Sequence, residues 1–332
     1  MKNLKKGLLA VLLILSIALG LGTASANALT LRFAHVGTHG SLMFLVGEKL
    51  KENIETLSQG EIKVDVFPAG QLGNLPQMVG QVKKGSIDLF KDHVGLSMII
   101  KGGKDFGVIF APYLFRDQEH LHKFIASPLF KDMMGKVEQE NGIKCLGLIM
   151  DRAPRALTTR HKMALVPDDL KGLKIRAPKA PSIFQVFKIW GASPTVVAAP
   201  EMYNALKQKV VDGQDNGIDV VADWKLYEVQ NYYTAIDYSR SAEVLWVNQQ
   251  KWDSLSATHK EVIQKATERT AEWATQGLMS KILGSYWLAQ ERGMTIVMPP
   301  LKPWIDSSRK VLEELEGKMW SEGLYAKIQG IK

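Results

Sequence analysis

The 332-residue chain holds a single cysteine, Cys145. One thiol excludes an intrachain disulfide, and its distance from the N-terminal segment excludes a lipid-modified cysteine behind a leader. Cys145 lies in the apolar run Ile143–Met150, a setting for a small buried hydrophobe rather than a nucleophile. Catalytic signatures are missing as well: there is no GxSxG elbow, HExxH pair, Walker loop or GxGxxG turn, and no Cys/His cluster with zinc spacing. Basic residues do not cluster with interleaved aromatics, which argues against nucleic acid as a partner. Tandem repeats and low-complexity tracts are absent too. No cofactor is implied.

What is present begins with Lys2, Lys5 and Lys6, followed by the apolar run Gly7–Leu21 and the small-residue stretch Thr23–Ala28. That order is the one of a cleavable export signal over residues 1–28, and the run is shorter than the roughly 20 apolar residues of a spanning helix. Loss of those three lysines takes the formal charge from +8 to +5, a modest, dispersed excess that favours small anions. About 300 remaining residues at 46% hydrophobic composition suffice for two cores.

Alternation predicts a strand over Leu29–His35, and apolar residues at helical spacing predict a helix over Ser41–Ser58 stopped by Gly60. A strand at Glu61–Phe67, a helix at Leu75–Lys84 ended by Gly85, and a strand at Ile87–Phe90 complete a βαβαβ unit. After a helical middle, a second α/β unit follows: strands at Ile143–Met150, Leu173–Arg176 and Thr195–Val197, helices at Pro181–Trp190 and Pro200–Lys209, and a strand end at Val211–Asn216. A strand pair is expected between Asp237 and Val247, then a helix from Trp252 to about Trp287, long enough to bridge both units, and a short strand at Thr295–Met298. The segment Leu173–Asn216 is the most informative. It sets a lone arginine at one strand end and an amide pair, Gln214 and Asn216, at another, which is a layout for holding an anion. His35, His39 and His93 fall at or just after strand ends of the first unit and could converge on a cleft; scattered over three segments, they read as loop residues or single hydrogen-bonding groups before they read as metal ligands. The remaining histidines, His120, His122, His161 and His259, read as surface.

Four blocks carry a family likeness: LRFAHV at Leu31–Val36, VDVFPAGQLGNLPQMVGQVKKGSIDLF at Val64–Phe90, APYLFRDQEH at Ala111–His120, and Pro167–Asn216 with DDLKGLKIRAP, GASPT and VVDGQDN, continued by LYEVQNYY at Leu226–Tyr233. Together they resemble the substrate-binding proteins of tripartite ATP-independent periplasmic (TRAP) transporters, the DctP-like family. The resemblance implies a two-lobed periplasmic binding protein fold of class α/β, each lobe an open β-sheet flanked by helices. Lobe I would take 29–153 plus 242–281 and lobe II 154–241 plus 282–332, with hinge crossovers near Met150–Pro154 and Ser239–Val244. It also implies a periplasmic receptor that is not an enzyme, with a small organic acid as ligand and a permease of one small and one large membrane subunit as partner; a monomer is the default oligomeric state.

In such proteins the arginine of the LKIRxP block pairs with the ligand carboxylate; here it is Arg176, whose planar fork suits two parallel charge-assisted bonds. Arg155 would be the second anion contact, with Arg152 and Arg160 nearby, and Asn216 an amide donor beside Gln214. The ligand would bridge these to the loops after Phe33 and Phe90, where the candidates are His35, Val36, Lys91 and His93. Departures bear on the ligand. Ala199 stands where sialic-acid-binding members carry an aromatic residue, Val36 where they carry a cleft asparagine, and His93 where they carry a carboxylate. Lys91 and His93 would favour more negative charge on the ligand, unless a salt bridge within the Lys91-Asp92-His93 run absorbs the lysine. Trp190 and Trp224 fit helical core positions better than pocket walls. Rival readings are a receptor for an ABC importer or a signalling partner, a sulfonate ligand on the same scaffold, and an exported enzyme with His35 or His93 as base.

Overall fold

The computed structural model describes residues 28–332; the proposed export signal lies almost wholly outside them. Strand β1 (Leu29–Ala34) leads into helix α1 (Leu42–Leu57), capped by the Ser41 hydroxyl, which accepts from the Phe44 amide. Strand β2 (Ile62–Phe67), helix α2 (Leu75–Lys84) and strand β3 (Leu89–His93) follow, α2 beginning in a reciprocal Asn74–Gln77 capping box and ending at Gly85 in the left-handed region. Short 3₁₀ turns at Val94–Ile99 and Lys104–Phe110 precede helices α3 (Gln118–Ala126) and α4 (Pro128–Asn141), and strand β4 (Ile143–Asp151) closes the first half.

The second half contributes β5 (Arg155–Thr159), β6 (Lys174–Ala177), α5 (Pro181–Ile189), β7 (Ser193–Val196), α6 (Met202–Lys207), β8 (Gly213–Asn216), α7 (Ile218–Asp223) and β9 (Tyr232–Ser239). Strand β10 (Ala242–Asn248) then returns to the first half, before α8 (Gln249–Ser254), α9 (Ala257–Glu291), β11 (Thr295–Val297), α10 (Lys302–Leu315) and α11 (Leu324–Gln329). The first sheet has the order β2-β1-β3-β10-β4 and the second β11-β9-β5-β8-β6-β7. The chain passes between them three times, twice directly from strand to strand, β4 to β5 and β9 to β10, and once through α9 from β10 to β11, so each sheet has strands from both sides of a crossing.

Two expected elements shift. Strand β3 runs to His93 rather than stopping at Phe90, because the charged Lys91 and Asp92 lie in the buried ladder opposite β10, Leu245 facing Lys91 and Val244 facing Asp92. An apolar-alternation signal cannot register a strand whose buried charges are paired from a neighbouring strand. The long helix starts at Ala257, not Trp252, because Ser256 caps it by accepting from the His259 amide and a separate short helix, α8, precedes it. It still reaches both halves. Thr270 accepts from Asn53 of α1 at 3.0 Å, Gln264 donates to the Leu146 carbonyl of β4 at 3.1 Å, and Lys281 pairs with Asp223 of α7.

Two apolar clusters form the core, and each is continuous across both sheets. One joins Phe90, Phe106 and Phe110 to Ile175, Phe187 and Trp304; the other joins Leu31, Val46 and Ile54 to Ala156, Ile218 and Ile263. Full burial of each large apolar side chain contributes about 1.5–3 kcal/mol. Cys145 packs against the first cluster, and burial pushes its thiol up to about 12, as suits an inert side chain. The last helix meets a segment of the first half that is itself bonded to β9, the Tyr113 amide donating to the Tyr238 carbonyl at 2.6 Å. Arg116 donates to the carbonyls of Gln329 and Ile331, each at 2.8 Å, and α11 therefore sits against the Pro112–His120 segment. His120, read as surface, is buried there with Nε2 3.0 Å from the Ile328 carbonyl.

Gly47 of α1 is a point of close approach: an added Cβ would lie 2.6 Å from Nε2 of His35, the residue after β1. Alanine there gains up to about 1 kcal/mol of helix propensity but overpacks a closed site at about 1–3 kcal/mol. Gly47→Ala should therefore lower the denaturation midpoint by the equivalent of up to about 2 kcal/mol, and a variant that melts above the parent would show that the imidazole has room to swing away.

Candidate functional site

A cavity of about 410 Å³ lies where the two sheets face each other. Val36, Asp92 and His93 line it from the first sheet, Arg176, Ala199 and Asn216 from the second, and Arg152 and Arg155 from the β4–β5 crossing.

The three arginines are not equivalent. Arg155 donates from Nε to Asp215 Oδ2 at 2.6 Å and from Nη2 to the Asp215 carbonyl at 2.8 Å, while the Tyr238 hydroxyl donates to the same carboxylate oxygen at 2.6 Å. Burial opposes its charge, but Asp215 and Tyr238 outweigh that and hold the guanidinium above its ordinary range. Arg152 donates to Glu243 Oε1 at 2.8 Å. Arg176, on β6, is only 3% exposed and donates from Nε to the Val197 carbonyl at 2.9 Å. Among the described residues no carboxylate lies within ion-pair distance of it, and neither terminal nitrogen has a partner. Burial lowers it to about 10, with Asp215 countering and Arg155 and Arg152 adding to the effect, so it stays charged at neutral pH.

Asn216 is held by a chain of hydrogen bonds across the second sheet. Its Nδ2 donates to Gln214 Oε1 at 2.7 Å, Gln214 Nε2 to Thr158 Oγ1 at 3.0 Å, Thr158 to Gln230 Oε1 at 3.0 Å, and Gln230 Nε2 to the Val229 carbonyl at 2.8 Å. Because a carbonyl can only accept, it sets the direction of every link. Gln214 is thus an interior link, fully buried and off the cavity wall.

Two candidates from the first sheet do not reach the cavity. Lys91 is 1% exposed and pairs with Glu243 Oε2 at 2.5 Å, so the salt bridge that absorbs it runs to β10 rather than within its own tripeptide. His35 is buried between β1 and α1, its Nδ1 accepting from the Gly37 amide at 3.1 Å. Burial, with Lys91 and His39 adding, drops it to about 2. His39 is exposed and shares Phe44 with His35, at ring-centroid distances of 4.7 and 6.4 Å, whereas His93 packs on Phe110. His93 does line the cavity, stacked on Phe110 at 4.8 Å with Nδ1 accepting from the Gly95 amide at 3.0 Å. Burial and the nearby Arg152 and Arg155 keep it neutral, which leaves its proton on Nε2.

Several wall residues escape a reading of the sequence. Trp224, which fits a helical core position there, lines the cavity, whereas Trp190 is buried as expected. Asp92 figures in the sequence only as a partner for its neighbours. Asp215 and Glu243, which brace the arginines, carry a legible signal: each is a lone acid inside a short buried strand, a position that demands a cation.

With the geometry in place, the class is that of a two-sheet α/β binding protein with a cleft at the crossings. Residues 33–318 match the family described as bacterial extracellular solute-binding protein, family 7, and the chain belongs to that family. It is 26% identical over 321 residues to a sialic acid-binding periplasmic protein of Vibrio cholerae, covering 96% of this chain and 97% of that one. It is also 28% identical over 255 residues to a 2,3-diketo-L-gulonate-binding periplasmic protein of Escherichia coli, covering 76% and 75%. A TRAP periplasmic solute-binding protein of Bordetella bronchispeptica, with density assigned to pantoate, superposes at a TM-score of 0.85, 25% identity, and coverage of 92% and 99%. A second, from Polaromonas, bound to D-erythronate, matches in fold at 0.85 with 24% identity and the same coverage. These relatives are substrate-binding proteins, not enzymes.

Asp92 links the cavity to pH. Burial raises its carboxyl to about 7 from 3.8, Glu243 adding, while the His93 amide, Arg152 and Lys91 pull the other way. The folded chain therefore keeps a proton that the unfolded chain has lost between about pH 4 and pH 7, and stability falls as pH rises through that window. Asp92→Asn removes the titration. Its melting temperature relative to the parent should be higher at pH 8 than at pH 5 by about 2 °C or more, and an equal difference at both pH values would refute this placement of the proton.

Proposed function

We propose that the chain is the periplasmic receptor of a TRAP transporter. It captures a small organic acid in the cavity between its lobes and delivers it to a permease of a small and a large membrane subunit. The single observation that carries this reading is Arg176: a buried, charged guanidinium on the cavity wall with no carboxylate of its own. Such a charge is costly to hold in the empty protein and is relieved by an anionic ligand that meets its two terminal nitrogens in parallel. Arg155 keeps Nη1 available beside it, and Asn216 presents a fixed amide. Ala199 and Val36 would contact the ligand's body and His93 would offer Nε2–H; Lys91, Gln214 and His35 would act from behind the wall by positioning their neighbours.

The lobes would rotate about the two crossings, residues 152–154 and 240–241, with closure excluding water and strengthening the arginine–carboxylate contact. The receptor would work as a monomer in the periplasm after removal of residues 1–28. Among the described residues no helix is long and apolar enough to cross a membrane, which accords with this reading.

Arg176→Ala should weaken binding of the tightest acid from a calorimetric panel by more than tenfold. Its ligand-free melting temperature should stay level or rise, because no internal ion pair is lost. Arg176→Lys keeps the charge without the fork and should fall between the two. An unaltered dissociation constant in Arg176→Ala would count decisively against the proposal.

A further inference from the structure

The charge of the ligand is met at Arg176; what its remaining atoms meet is set by the rest of the wall. We infer that the cavity takes a monocarboxylate with an apolar body, aromatic or branched aliphatic, in preference to a polyhydroxy sugar acid or a dicarboxylate. This rests on the reading that Arg176 holds a carboxylate.

The polar groups of the wall are few and largely committed. Arg155 is held by Asp215, and Arg152 by Glu243, which it shares with Lys91 while Asp92 stands close to both. Among the described residues the one further lining cation without a carboxylate is Lys179, which stands exposed at the open margin rather than in the enclosed wall. Asp92 Oδ1 accepts from the His93 amide at 2.6 Å, and His93 Nδ1 from the Gly95 amide. Asn74 and Gln77 close on each other in the α2 capping box at the partly exposed margin, and Lys179 is exposed. Beyond the carboxylate, the enclosed part of the wall leaves the Asn216 Oδ1 acceptor and the buried, unpartnered His93 Nε2–H for hydroxyls, while the side-chain nitrogens of Asn74, Gln77 and Lys179 stay free at the open margin.

Apolar side chains supply both walls. Val36 and Leu96 come from the first half, and Val196, Ala199, Val220 and Trp224 from the second. A sugar acid would have to enclose several hydroxyls against these surfaces, and each one left without a partner weakens binding by roughly tenfold. An aromatic or aliphatic body meets the same surfaces with no such loss and gains their burial. Trp224 offers a ring for that contact.

The test is titration calorimetry on protein unfolded and refolded to remove carried-over ligand, with phenylacetate, isocaproate, L-galactonate, D-glucuronate and succinate as probes. Phenylacetate or isocaproate should bind at least tenfold tighter than each of the other three. Trp224→Ala should weaken phenylacetate by fivefold or more at a temperature where the variant is folded, and Trp224→Phe, which keeps a ring in the packed site, should restore most of that loss. Equal or tighter binding of L-galactonate, D-glucuronate or succinate would overturn this inference while leaving the carboxylate reading intact. No binding of any of the five acids would remove both.

Discussion

Arg176 carries a full positive charge at a site that is 3% exposed, and the acids that would ordinarily neutralise it are committed elsewhere. Asp215, one residue from Asn216 on the next strand, is turned to Arg155 and Tyr238. Glu243 is turned to Arg152 and Lys91. A guanidinium isolated in this way is tolerable because its fork opens on a cavity rather than on apolar packing, and because Val197 takes one of its hydrogens. The rest of the site can be understood as the means by which neighbouring carboxylates are kept away from it.

The same bracing ties two of the crossings together. Arg152 follows β4 and Glu243 lies at the start of β10, so their contact spans the two direct strand-to-strand crossings, with Lys91 of β3 as a third member. Burial alone would raise the Glu243 carboxyl, but the two cations hold it below its ordinary value. Removal of either cation would leave a buried carboxylate undercompensated at the crossings between the sheets. The long helix α9, bonded to α1 and β4 of one half and paired with α7 of the other, spans the same join on the outside.

Much of this is legible in the residues. The βαβαβ openings, the long helix and the arginine at the end of LKIRAP follow from periodicity, punctuation and the solitary cation, all local signals. The buried charges are harder to read. Lys91 looks like a ligand contact because a lysine is seldom fully buried, and only the register of β10 brings Glu243 to it. Histidine position misleads in both directions: His35 lies behind the wall and His120 beneath the last helix, both fixed by hydrogen bonds to backbone atoms, one local and one from the far end of the chain. Trp224 is misplaced because a helix carries no mark of which apolar residues will border a void. Such facts belong to tertiary packing, and a single sequence carries them only indirectly.

The row of amides and hydroxyls behind Asn216 has its polarity set by one main-chain oxygen, that of Val229. An isolated asparagine can exchange its oxygen and nitrogen by turning over, and so greet either enantiomer of a chiral guest with donor or acceptor as needed. Here a half-turn would oblige Gln214, Thr158 and Gln230 to reverse in concert against a carbonyl that cannot donate. Which atom Asn216 turns toward the cavity is thereby dictated from four links away, by a main-chain oxygen of a residue off the cavity wall.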